Sequence, residues 1–106
     1  MAFIIKQHDT LPNLRATLMN ADTTPIDLTT ATSVSLAVKA KDGSPVWKNA
    51  CDIIDAEAGI VEYDFTALDT AMPDTYDAEF EILWGSEVQT VPNDGYFNFT
   101  VIADLG

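Results

Sequence analysis

The side chains best suited to acid–base chemistry are two glutamates on one predicted strand. Glu79 and Glu81 are separated by one residue, which in a β-strand puts both carboxyl groups on the same face, roughly 7 Å apart. Glycosidases use carboxylate pairs at such a spacing. They also need a deep, partly apolar site that drives the two pKa values apart, whereas these glutamates belong to a run of charges on a face expected to be solvated. We therefore interpret the pair as surface or partner-facing and predict no catalytic residue.

Nucleophilic catalysis and zinc binding lack the necessary residue types. A nucleophile needs a base beside it, and the chain has one histidine, His8, and one cysteine, Cys51. We interpret Cys51 as a buried structural residue and His8 as a solvated one in the break after the first strand. A single cysteine excludes an internal disulfide, and no plausible zinc ligand set can be assembled.

Calcium is the one metal that the loop sequences leave open. It needs six to eight oxygen ligands converging from loops, and Asp69, Asp74, Asn93 and Asp94 lie in predicted loops or at their ends. No Asp-x-Asp-x-Asp-Gly run is present, and Asp, Asn and Gly in turns are explained first by backbone conformation. We predict no metal and no cofactor, with a weak calcium site as the alternative.

The charge is strongly negative and unevenly distributed. The formal net charge is −12, and residues 1–48 hold all five basic residues against four acidic ones. From residue 49 onward there are 13 acidic residues and no Lys or Arg. Such a surface repels phosphate backbones and anionic membranes, so we expect neither nucleic acid nor a membrane as a partner. Two interpretations of the acidity stay open, namely solubility and a basic protein partner.

The run from Pro73 to Trp84 organises the predicted fold. Apolar and acidic residues alternate along it, which places an apolar face against a core and an acidic face outward. This pattern predicts a long central strand. The apolar set is Tyr76, Ala78, Phe80, Ile82 and Trp84, and the acidic set is Asp77, Glu79 and Glu81.

The rest of the chain predicts an all-β protein. Seven to nine short alternating runs are separated by turn signals, which is typical of an immunoglobulin-like antiparallel β-sandwich, and residues 1–106 are interpreted as one domain. Asp42-Gly43 predicts a hairpin, and Gly59 a turn in left-handed conformation. Residues 66–70 predict a single helical turn that holds Leu68 against the core.

Aromatic residues are interpreted mainly as core. Tyr76 follows a turn at the start of its strand, as in the "tyrosine corner", in which the hydroxyl bonds back to the backbone of the preceding crossover. We assign structural roles to Tyr76, Phe80 and Trp84. Trp47 and Trp84 lie near strand ends, where aromatic residues can also anchor a partner. The candidate interaction residues are Trp47, Glu79 and Glu81.

Five stretches, taken together, resemble a known family. They are residues 5–18, 24–31, 58–63, 74–80 (Asp-Thr-Tyr-Asp-Ala-Glu-Phe) and 92–96 (Pro-Asn-Asp-Gly-Tyr). Their order and spacing resemble the immunoglobulin-like domain of tailed-phage and prophage proteins, similar to the N-terminal domain of phage baseplate upper proteins. Asp74 departs from the family pattern, which often has glycine there. Proteins of that type usually continue into further domains, so a chain of 106 residues is expected to be a small tail or accessory protein.

The resemblance implies a non-enzymatic virion component of the tail, baseplate or head–tail region. It implies assembly with other phage structural proteins or with copies of itself, including a homo-oligomer, after synthesis in the cytoplasm of a bacterial host. The start of the chain has no basic and long apolar region of the kind that signal peptides carry, which agrees with that expectation. The alternative is a carbohydrate- or protein-binding β-sandwich module of a bacterial surface protein, presenting Trp47 and Trp84.

Overall fold

The computed structural model describes residues 2–92 and 97–105, and every regular element in them is a strand. No helix in this part of the chain is long and apolar enough to cross a membrane. The all-β prediction is confirmed. The strands are β1 Ala2–Lys6, β2 Leu14–Thr17, β3 Ser33–Lys39, β4 Pro45–Ala50, β5 Asp52–Asp55, β6 Ile60–Tyr63, β7 Asp74–Trp84, β8 Glu87–Val91 and β9 Phe97–Ile102.

The strands form two sheets that pack as a sandwich. The larger sheet has the order β1-β9-β7-β3-β4, with β8 also paired to β7, and the smaller has the order β2-β6-β5. All the pairings between these strands are antiparallel except one, because β1 runs parallel to β9. The predicted sandwich is confirmed, but the prediction that all its strands are antiparallel is wrong for β1 and β9. A parallel edge arises because the first and last strands enter the sheet from the same end.

The central strand is β7, and its eleven residues alternate as its sequence predicts. Tyr76, Ala78, Phe80 and Ile82 are buried, and the residues between them are partly exposed. Strand β3 pairs with β7 along one edge, over residues 77–83. The other edge is shared, since β9 pairs with residues 74–78 and β8 with residues 80–84.

Strands β8 and β9 therefore behave as one strand that is interrupted. Ala78 pairs with Phe97 and Phe80 pairs with Val91, so two steps along β7 correspond to six along its partner. The sequence Pro-Asn-Asp-Gly at residues 92–95 predicts a bulge or bend here, because proline cannot donate to a strand ladder. The interruption does begin at Pro92, and residues 93–95 lie outside the described part of the chain.

The core lies between the inward faces of the two sheets and is almost wholly apolar. Phe65 stacks on Phe99 with 5.3 Å between ring centroids, and Phe3 stacks on Phe65 at 5.5 Å. Such contacts add to the area-driven stabilisation of large side chains. The buried cluster consists of Ile5, Leu14, Leu18, Ile26, Leu28, Val34, Leu36, Val38, Val61, Tyr63, Phe65, Tyr76, Ala78, Phe80, Ile82, Val91, Phe99 and Val101.

Two glycines occupy turns that other residues would adopt only with strain. Gly43 has φ of +89° in the hairpin between β3 and β4, confirming the Asp-Gly prediction. Gly59 has φ of +70°, and a Cβ there would lie 2.7 Å from the Ile26 carbonyl oxygen and 2.8 Å from that of Leu18. Gly59 is therefore required both by conformation and by the close approach of a neighbouring loop.

The crossover from β6 to β7 corrects one prediction. Residues 66–71 form successive turns, closed by Asp69 N–H to the Thr66 carbonyl and Ala71 N–H to the Leu68 carbonyl, but no helix. Leu68 is 85% exposed, so its expected packing against the core is wrong. Thr70 is buried instead, and its hydroxyl donates to the Asp9 carbonyl at 3.0 Å.

Candidate functional site

The acidic face of β7 is largely balanced by lysines from the neighbouring hairpin. Lys48 Nζ lies 2.9 Å from Glu81 Oε1, and Lys41 Nζ lies 3.4 Å from Asp77 Oδ1. These ion pairs join residues that are 33 and 36 positions apart in sequence. The fold thus brings part of the basic N-terminal half onto the acidic C-terminal half, and the outer face of β7 carries mixed charge.

Glu79 and Glu81 line two different depressions on the outer face of β7. Glu79 lines a depression of about 310 Å³ together with Lys39, Lys41 and Asp77, whereas Glu81 lines a separate depression of about 290 Å³ beside Lys48. Glycoside hydrolysis needs two carboxyl groups that converge on one bond from a shared site. Their position on an outer sheet face fits a surface role, and contact of either residue with a partner stays a prediction.

Cys51 and His8 are held by different parts of the fold. Cys51 is the single residue between β4 and β5, and its backbone N–H donates to the Val34 carbonyl at 2.8 Å. Burial, with a smaller contribution from Asp52, raises the pKa of the Cys51 thiol to about 12, so the thiolate form needed of a nucleophile is suppressed at neutral pH. The His8 backbone donates instead to Thr70 on the crossover.

Tyr76 has the hydrogen bond that a tyrosine corner requires. Its hydroxyl donates to the Met72 carbonyl at 2.7 Å, four residues upstream on the crossover. Its ring is buried and stacks on Phe99 with 5.5 Å between centroids. The residue therefore links the crossover to the core, and burial raises the pKa of its phenol above the ordinary value.

The other aromatic candidates also make inward contacts. Phe80 stacks on Phe97 with centroids 5.4 Å apart, and Trp84 packs against the core while its Nε1 donates to Gln89 Oε1 at 3.1 Å. Trp47 is half-buried and stacks on Tyr63 at 5.1 Å. An interaction role for Trp47 stays a prediction, since the contacts described for its indole lie within the sandwich.

A polar network around Asp69 was not anticipated from the sequence. The Tyr63 hydroxyl donates to Asp69 Oδ2, which also accepts the Thr66 backbone N–H at 2.9 Å. Asn49 Nδ2 donates to the Tyr63 hydroxyl at 2.9 Å. Burial and the Asp69 carboxylate raise the pKa of Tyr63 well above its usual range. The Thr-x-x-Asp spacing, which is typical of reciprocal side-chain to backbone hydrogen bonds, could have predicted the Thr66–Asp69 part of this network.

The described residues contain no group of three or more His, Cys, Asp or Glu side chains that could hold a metal ion. Of the calcium candidates, Asn93 and Asp94 lie outside the described residues. Asp69 is committed to the Tyr63 network, and Asp74 accepts the Thr75 backbone N–H at 2.8 Å. The described residues thus supply no set of ligands for calcium.

The fold and these contacts define a β-sandwich domain whose titratable groups serve packing, turns and surface ion pairs. The model of the BppU N-terminal domain family, that is, of the N-terminal domain of phage baseplate upper proteins, matches residues 4–105. The chain belongs to this family, and the resemblance drawn from its sequence motifs is confirmed.

Solved structures support the same fold. The chain is similar to the N-terminal domain of phage TP901-1 ORF48, with a TM-score of 0.67 and 13% identity over 98% of this chain and 85% of that one. It is also similar to CopC from Methylosinus trichosporium OB3b, with a TM-score of 0.51 and 14% identity over 98% of this chain and 86% of that one. At such identities the likeness concerns the fold alone. No curated protein sequence matches the chain.

Proposed function

We propose that this phage baseplate domain is a non-enzymatic structural module of a phage or prophage particle, in the tail, baseplate or head–tail region. The observation that carries the proposal is the family match over residues 4–105. The chain would be made in the cytoplasm of the bacterial host and assembled into the particle with other structural proteins or with copies of itself. Neither nucleic acid nor a membrane is part of the proposed role.

The geometry of the polar residues supports a structural role. Three of the groups capable of chemistry have a local structural use: Glu81 pairs with Lys48, Asp69 organises the crossover, and Cys51 is held as a thiol by burial. Catalytic sites typically bring such groups together in one cleft with perturbed pKa values. Here they are distributed over separate parts of the sandwich.

The glycan-binding alternative lacks a supporting observation. It requires an exposed aromatic platform, and the rings of Trp47 and Trp84 pack against the core. Trp47 also makes edge contacts with Phe65 and Phe99, at 6.4 and 6.3 Å between centroids. We therefore propose the particle role alone.

Deletion and complementation in a strain that produces the particle would test this role. We expect electron micrographs of the deletion strain to show particles with incomplete tails or baseplates. Wild-type chain supplied in trans should restore them, because an assembly module acts by being present in the particle. Normal, fully infective particles from the deletion strain would contradict the proposal.

A further inference from the structure

Strands β4 and β5 follow each other along one side of the sandwich. β4 is the outermost strand of the large sheet, β5 is the outermost strand of the small sheet, and Cys51 alone separates them. The Cys51 backbone N–H bonds to Val34 on β3, so the chain leaves the large sheet at that point. The residues that the structure does not describe adjoin β1, β8 and β9 or follow β9, on the other side of β7. The β5 edge and its neighbours in sequence are therefore described in full.

Strand β5 is exposed along its whole length, including two adjacent isoleucines. Ile53 is 36% exposed although it pairs with Val61, which is fully buried, and Ile54 is 46% exposed. The register shifts after Ile53, so Ile54 is an extra residue with no opposite on β6. The described backbone hydrogen bonds of β5 are those with β6, so the other side of the strand keeps unpaired N–H and C=O groups. The edge thus offers two apolar side chains beside free backbone groups.

A row of three charged side chains crosses the small sheet and ends at β5. Arg15, Glu62 and Asp52 occupy directly opposed positions on β2, β6 and β5. Arg15 Nη2 lies 2.9 Å from Glu62 Oε2, whereas Asp52 makes no hydrogen bond or ion pair with any described residue. Like charges directly opposite each other destabilise a ladder. The row therefore runs positive, negative, negative, and a strand added beside β5 could supply the missing positive charge.

The other charges at this edge are also negative. Asp55 ends the strand and Glu57 lies in the turn that follows, and both are exposed. Asp55 Oδ1 accepts the Ala58 backbone N–H at 3.3 Å, and Lys48 on β4 is paired with Glu81 on the large sheet. A second copy of the chain would set the same carboxylates against each other, and charges on an edge strand discourage such pairing. The same carboxylates attract a basic segment.

We propose that the β5 edge binds an extended basic segment of a partner protein, which adds to the small sheet as a further strand. A Lys or Arg beside Asp52 completes the charged row, and apolar side chains at the alternate positions cover Ile53 and Ile54. Backbone pairing gives affinity, and the carboxylates select a basic sequence. The inference deepens the proposed particle role, on which it rests for the origin of the partner.

Peptide titration of the isolated chain tests this inference. The probe is a capped alternating peptide, Lys-Val-Lys-Val-Lys-Val-Lys, whose strand form has one basic face and one apolar face. We expect it to shift the backbone amide resonances of residues 51–57 in NMR spectra of the labelled protein. The controls are a block peptide of the same composition, Lys-Lys-Lys-Lys-Val-Val-Val, and a version with Pro in place of the central Val. Both should bind about tenfold or more weakly, since they lose the alternation or a backbone donor.

Two matched pairs of variants locate the binding. Asp52→Lys should weaken binding of the alternating peptide about tenfold or more, whereas Glu87→Lys makes the same charge change at an exposed residue of β8 and should alter it by less than about threefold. Ile54→Ser should weaken binding about threefold, and Val88→Ser, at a side chain that is 61% exposed on β8, should leave it unchanged. Circular dichroism checks that all four variants fold alike.

Any of four results would overturn the inference. These are absence of binding by the alternating peptide, equal binding of the block peptide, resonance shifts confined to another face, and equal effects of Asp52→Lys and Glu87→Lys. Because the titration needs no particle, its failure rejects strand addition at β5 while leaving the particle role intact. Normal particles in the deletion strain would reject the particle role while leaving the peptide result intact.

Discussion

Replacing Tyr76 by Phe tests whether the crossover is tied to the core by one hydrogen bond. The substitution removes only the hydroxyl that donates to the Met72 carbonyl at 2.7 Å, and the ring can keep its stacking on Phe99. A hydrogen bond of this kind contributes about 1 kcal/mol net. The acceptor lies on a surface crossover where water can replace the lost donor, so we expect a cost near that value rather than the larger penalty of a buried unpaired group.

Chemical and thermal unfolding followed by circular dichroism would measure this cost. A loss of about 1 kcal/mol corresponds to a fall in Tm of roughly 4–8 °C for a domain near this size. Met72→Ala is the matched control, since the bond uses the Met72 carbonyl and its side chain is 70% exposed; we expect a change within about 0.5 kcal/mol. If Tyr76→Phe is as stable as the wild type, or if Met72→Ala costs as much, the tyrosine-corner reasoning is wrong.

Four further substitutions probe other parts of the account. Tyr63→Phe should cost about 1.5–3 kcal/mol, because its hydroxyl donates to the Asp69 carboxylate. The pKa of Tyr63 is raised in the folded protein, so the stabilisation from its protonated hydroxyl is complete below pH 10.0, the ordinary phenol pKa, and is lost as the pH rises through the folded value. In alkaline solution the free energy of unfolding of Tyr63→Phe should therefore depend less on pH than that of the wild type. An unchanged pH dependence would contradict this. Gly59→Ala should lower the free energy of unfolding, measured in urea, by about 2–4 kcal/mol. Gly43→Ala is the control, because the space around its Cβ position is open, and it should cost about 1 kcal/mol. Equal costs would refute the close-approach argument. Glu81→Gln should change stability by less than about 1 kcal/mol, because the pair with Lys48 is exposed, and a larger loss would show that the outer face matters more to folding.

Local sequence patterns predict the fold wherever the determining contacts are local. The alternation over Pro73–Trp84 predicts both the strand and its buried face, since strand geometry alone fixes which side chains share a face. Asp42-Gly43 predicts its hairpin because the turn conformation depends on those residues themselves. The position of Tyr76 after a turn indicates a corner tyrosine for the same reason.

Features that depend on distant partners could not be predicted in this way. The parallel pairing of β1 with β9 joins the two ends of the chain, and no local pattern specifies it. The ion pairs of Lys41 and Lys48 with β7 follow from sheet order, so the sequence indicates a bare acidic face where the structure has a mixed one. Leu68 is exposed and Thr70 buried because the crossover is fixed by Asp69 and Asp9, whose bonds outweigh the apolar preference of one leucine.

Quantitative mass spectrometry of purified particles tests the central claim most directly. Particles would be separated from host protein on a density gradient, and peptides of this chain would be measured against those of the tail proteins across the gradient. The account predicts that the chain co-sediments with intact particles at a constant ratio to the tail proteins. Recovery of the chain only in the soluble host fraction, with none in the particle band, would contradict it.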